Sequence, residues 1–174
     1  MRSRLVRVAT LCAVLVLAAC EPPTRAVPLY VDIRGPVDAT VLVPACPGDA
    51  FMSVGVSRSA DAGVSYRGAV DPAGDGKAYV AKLVIDDNSL HRAHLIDGFE
   101  TTVARPYPAG ITSYKEVGGF DFTTHLFSTQ VDLSSLDGLA PGMYRVDGMN
   151  SSASISPASF DERAYLAEVC GTKN

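Results

Sequence analysis

The chain has 174 residues, with 15 Lys and Arg against 19 Asp and Glu, for a formal charge of −4. That length suits one domain with a proper core and is short for two. The acidic balance argues against nucleic acid and against adhesion to anionic lipid, since both need basic patches. No block of like charge and no repeat at a fixed period interrupts the chain, and Ser151–Ser159 is its only biased stretch, a short loop-like segment.

At the N-terminus, Arg2, Arg4 and Arg7 precede an apolar run from Val8 to Ala19. The run is well short of the roughly twenty residues a spanning helix needs. A basic cluster, a short apolar core and small residues at its end read instead as a secretory signal peptide. The run closes on Leu17-Ala18-Ala19-Cys20, with polar Glu21-Pro22-Pro23 immediately after. This resembles the lipobox of bacterial lipoproteins, Leu-x-x-Cys with small residues before the cysteine. The resemblance implies that residues 1–19 are removed and that Cys20 becomes an acylated, palmitate-bearing first residue. The protein would then lie on the extracytoplasmic side of the cell membrane, held through lipid; an ordinary signal peptide with an incidental cysteine is the alternative. Each buried CH2 contributes about 0.8 kcal/mol, so two or more chains give stable anchoring where one is marginal.

Without Arg2, Arg4 and Arg7, twelve basic residues face nineteen acidic ones, a formal charge of −7. Residues 20–27 then form a lipidated tether whose prolines keep it semi-extended, at about 3.1 Å per residue. The folded domain is expected over residues 28–174. Of its cysteines, Cys46 and Cys170 form an even pair in an exported chain, for which a disulfide is the default. Two reduced thiols are the alternative if the outer face is kept reducing.

Strand patterns dominate the domain. Leu29–Arg34 alternates apolar and polar residues, and Thr40–Ala45 is rich in β-branched residues, with Pro44 marking its end or an edge. Met52–Ser57 again has period two, Val64–Val70 is weaker, and Tyr79–Ile85 reads as the clearest buried strand. Leu95–Ala104, Phe120–Leu133, Met143–Met149 and Ala164–Val169 complete the set. Asn88–Leu95 is the one helix-like stretch. Asp-Gly pairs at Asp75, Asp97, Asp137 and Asp147 suit tight turns. Many short strands with turn signals between them indicate a sandwich or a barrel.

The stretch Leu139-Ala140-Pro141-Gly142-Met143-Tyr144-Arg145-Val146 narrows that choice. It resembles the corner entering a late strand of immunoglobulin-like and fibronectin-like sandwiches, where a tyrosine hydroxyl bonds back to the preceding turn. The resemblance implies an all-β, two-sheet Greek-key sandwich of seven to nine strands. It also implies a tyrosine-corner role for Tyr144, with Leu139 packed and Gly142 at the corner. The chain departs from antibody domains in having no Trp and in the long Cys46 to Cys170 spacing.

Chemistry-bearing patterns are sparse. His91 and His94, with His125, are weak metal candidates, set against exposed or hydrogen-bonded histidines. Asp71 and Asp75 sit in a loop that lacks the Glu a calcium loop needs, since Lys82 holds that position. No nucleophile elbow, phosphate loop or His-Glu-x-x-His helix occurs. No catalytic residue is therefore nominated, and no cofactor. In the loop Ala104–Gly110, Arg105 and Tyr107 form a candidate partner-binding surface, with a rigid loop packing on its own domain as the alternative. The expected function is a non-catalytic binding or structural module at the cell envelope, with an envelope protein or polymer as partner. A carrier of a small ligand or metal is the alternative, and a hydrolase with an unrecognised site ranks last.

Overall fold

The computed structural model describes residues 25–48, 51–57, 76–86, 110–124, 126–148 and 154–171. These residues form two antiparallel sheets around one core. Strand β1 (Leu29–Gly35) turns at Pro36–Val37 into β2 (Asp38–Ala45), and β4 (Tyr79–Ile85) pairs with the far side of β2. On the other flank, β7 (Gly142–Asp147) pairs with β1, and β8 (Ser154–Pro157) pairs with β7. The first sheet thus has the order β4-β2-β1-β7-β8. Strands β3 (Phe51–Ser57), β5 (Gly119–Thr124) and β6 (Ser128–Asp132) form the second, in the order β3-β5-β6.

Period two in the sequence becomes two faces in space. Val31, Ile33, Val41, Leu83 and Val146 point inward from the first sheet, and Phe120, Phe122 and Val131 meet them from the second in one continuous cluster. Phe120 and Phe122 are essentially fully buried, and a side chain of that size contributes about 1.5–3 kcal/mol when removed from water. Part of the opposite face of the first sheet is also covered, by helix α2 (Glu162–Cys170). A short helix α1 (Tyr114–Val117) and a 3-10 turn (Leu133–Leu136) close one end. Among the described residues no helix is long and apolar enough to cross a membrane.

Several expected elements take a different form. Ala164–Val169 is not a strand but lies within α2. Its alternating Tyr165, Ala167 and Val169 imitate period two, yet Asp161 caps a helix by accepting from Ala164 N at 3.0 Å. Tyr165 and Val169, four residues apart, are the helix's two buried side chains. The long run Phe120–Leu133 is a hairpin of β5 and β6 followed by the 3-10 turn. No Gly or Pro marks its reversal; Thr124 Oγ1 closes it by accepting from Leu126 N and Phe127 N, both at 3.1 Å.

Tyr79–Ile85 is a half-exposed strand rather than a buried one, since Lys82 is exposed and Val84 retains 39% of its surface. Within the loop-like Ser151–Ser159 segment, residues 154–157 form β8. Pro44 stands beyond the last rung between β2 and β1, at Leu42 opposite Tyr30, so its missing N–H interrupts no ladder on that side. The packed region starts ahead of Pro28, because Arg25 bridges Phe127 and Val27 is 1% exposed. The expected segments Val64–Val70, Asn88–Leu95 and Leu95–Ala104 lie outside the described residues.

Candidate functional site

The stretch that resembles a tyrosine corner forms one wall of a slot at the closed end of the two sheets. The chain leaves β6 through Asp132, whose carboxylate accepts from Ser134 N at 2.9 Å and from Ser134 Oγ at 2.6 Å and so starts the 3-10 turn. Gly138, at φ 78°, then bends the chain in the left-handed region that a side chain adopts only with strain. Gly142 opens β7, and the Tyr144 hydroxyl donates to Ala140 O at 2.8 Å, four residues back. Leu139 packs against the core beside it.

Across the slot, helix α1 begins at Ser113. The Glu116 carboxylate accepts from Thr112 N at 2.7 Å and from Ser113 N at 3.3 Å, which fixes the start of the helix. Asp137 accepts from Lys115 N at 3.2 Å and ties α1 to the corner. Between them lies a cavity of about 460 Å³ lined by Pro36, Tyr114, Leu136, Asp137, Leu139 and Pro141, among others. Its walls are mainly apolar, as small-molecule sites usually are. Tyr114 is 1% exposed, and its hydroxyl is buried without a hydrogen-bond partner. An unmet buried hydroxyl costs about 1–3 kcal/mol. Burial, and then the negative charges of Asp38 and Asp137, push the Tyr114 phenol well above the usual tyrosine range.

A second cluster fastens α2 to the first sheet. The rings of Tyr30, Phe160 and Tyr165 meet edge to face, with centroids 5.0 to 5.6 Å apart. Tyr165 donates to Pro28 O at 2.8 Å, and burial pushes its phenol up. Arg145, on the face of β7 opposite Tyr144, donates to Asp147 at 3.1 Å and to Tyr30 Oη at 3.2 Å. It also forms a two-pronged pair with Glu168 at 2.7 and 3.1 Å. This donation holds the Glu168 carboxyl below the usual glutamate range, and the same partners keep Arg145 charged. Arg145 is thus shared between two carboxylates, one on its own strand and one on α2, and fastens the helix to β7.

Cys46 and Cys170 are bridged, with Sγ–Sγ 2.08 Å and Cα–Cα 5.3 Å, joining the residue after β2 to the last residue of α2. A second, smaller groove of about 370 Å³ lies over the first sheet beside Arg34, Lys82 and Glu162, all exposed, so its charges of both signs are solvated. Cys20, His91, His94, Arg105, Tyr107 and His125 lie outside the described residues. Among the described residues no three metal-ligating side chains converge.

Comparison with protein-family models, with curated proteins and with solved structures finds no match.

Sequence reasoning passed over Tyr114, Arg145, Glu168 and Tyr165. A signal existed for two of them. Ser113-Tyr114-Lys115-Glu116 has the spacing of a capping box, and period two through Tyr144 sends Arg145 to the other face of β7. The meeting of Arg145 with Glu168 is set by tertiary packing alone.

Proposed function

We propose that the chain is an exported lipoprotein held on the extracytoplasmic side of the cell membrane by acyl chains on Cys20. Its domain is a non-catalytic binding or structural module that docks an envelope protein or polymer. The observation that carries this reading is the Cys46–Cys170 bridge. Disulfides persist where the compartment is oxidising, and the bridge stands in a chain that opens with a basic cluster, an apolar run and Leu17-Ala18-Ala19-Cys20. An immunoglobulin-like kinship of the domain is supported by the Tyr144 to Ala140 bond and by the crossover from β6 in one sheet to β7 in the other. The absence of basic clustering sets nucleic acid aside. Arg105 and Tyr107 are the proposed docking residues. Affinity capture from detergent-solubilised envelopes tests the module reading: one specific partner, lost on Arg105→Ala together with Tyr107→Ala, supports it, and capture of nothing above a non-exported control lacking residues 2–19 removes it.

A small-ligand carrier is the second reading, favoured by the apolar slot at Tyr114. A thermal-shift screen of small organic molecules on the full chain tests it, with saturable stabilisation as the expected result.

A further inference from the structure

We propose that the slot between α1, the Pro36 turn and the Leu136–Pro141 corner binds a small organic cation, a protonated amine on a compact hydrocarbon body. The proposal rests on the small-ligand reading and names the ligand class of that site.

The slot's shape and walls set the body of the ligand. At about 460 Å³ it falls within the range of small-molecule pockets and holds a ring or a short branched chain. Pro36, Leu136, Leu139 and Pro141 offer it apolar surface, and rigid prolines on two sides keep that surface from collapsing.

The charges set its head. Asp137 lines the slot and Asp38 follows the Pro36–Val37 turn, and among the described residues no Lys, Arg or His lines it. Asp137 spends one carboxylate oxygen on Lys115 N, which leaves the other for a donor. Asp137 in the lining gives this wall a negative charge, and the two carboxylates add to burial in opposing ionisation of the Tyr114 phenol. The wall repels an anion and attracts an ammonium.

Tyr114 adds a separate indication. A phenylalanine would fill the same volume without leaving a buried hydroxyl unmet. The hydroxyl weakens the empty protein, and a ligand that opens the slot wall onto it and offers it an N–H removes that defect.

The test is isothermal titration calorimetry of the detergent-purified full chain with phenethylammonium. The same aromatic body is also presented as neutral 2-phenylethanol and as anionic 3-phenylpropionate. Phenethylammonium is expected to bind saturably and about tenfold more tightly than the alcohol, the ratio one charge-assisted contact supplies, with no heat from the carboxylate. Asp137→Asn should reduce that preference to under about threefold. Leu139→Arg, which fills the slot and supplies its own cation, should abolish binding, with circular dichroism verifying the fold of both variants. Equal or tighter binding of the alcohol or the carboxylate overturns the cation assignment while leaving a carrier. No saturable heat from any of the three probes overturns the carrier reading with it. Wild-type affinity in both variants places the binding elsewhere and overturns the site.

Discussion

Arg145 Nη2 lies 2.7 Å from Glu168 Oε1, a contact between β7 and α2 across 23 residues of sequence. With Nη1 reaching Oε2, the pair is two-pronged, and it holds the helix that covers part of the outer face of the first sheet. Glu168 has its carboxyl held low by Arg145, so its contribution is present above the ordinary glutamate value of 4.5 and is lost as pH falls through the lower, folded value. Both side chains are partly exposed, at 27% and 46%, so solvent screens them. Glu168→Gln should therefore cost about 0.5–1 kcal/mol at pH 7. Urea titration at pH 7 and at pH 3 checks this, the difference from wild type shrinking at the lower pH.

Tyr114→Phe should stabilise the protein. The hydroxyl it removes is buried and unpartnered, and the gain is expected at about 1 kcal/mol. Wild-type stability should also fall above pH 10.0, where an unfolded tyrosine ionises and the folded Tyr114 resists. The variant loses part of that alkaline decline. Chemical denaturation at pH 7 and pH 11 reads both effects.

Tyr144→Phe is the opposite case. Its hydroxyl has a partner in Ala140 O at 2.8 Å, so the same chemical change should destabilise by about 1 kcal/mol. Opposite signs for two Tyr→Phe substitutions in one core, read in a single set of urea titrations, separate hydrogen bonding from volume.

That contrast also shows where the sequence was legible. Strands β1 and β3 follow from period two, because a half-buried sheet must alternate, whereas β2, buried along nearly its whole length, follows from its β-branched residues. The corner geometry at Tyr144 was visible because it depends on contiguous residues. The helix at Tyr165 was not, since nine residues with two buried positions display too little of a 3.6-residue stripe to outweigh an apparent alternation. The reversal at Thr124 was hidden because a side-chain oxygen closes it where Gly or Pro would have announced it. The slot is composed of three separate turns, Pro36, Tyr114 and Leu136–Pro141, that only the folded chain brings together.

The bridge predicts a large response to reductant. It closes a separation of 124 residues, which chain entropy values at about 4.9 kcal/mol. Cys46→Ala with Cys170→Ala, or wild type in excess reductant, should melt well below the oxidised protein. Coinciding melting curves would assign the bridge no part in stability.

The most direct test of the central claim, a lipid-anchored and disulfide-stapled exported domain, is the intact mass of the chain recovered from membranes, alkylated without reduction. The expected mass begins at Cys20, carries acyl chains on that residue and shows no alkylation at Cys46 or Cys170. A chain that retains residues 1–19, or one cleaved there but free of lipid and recovered in the soluble fraction, contradicts it.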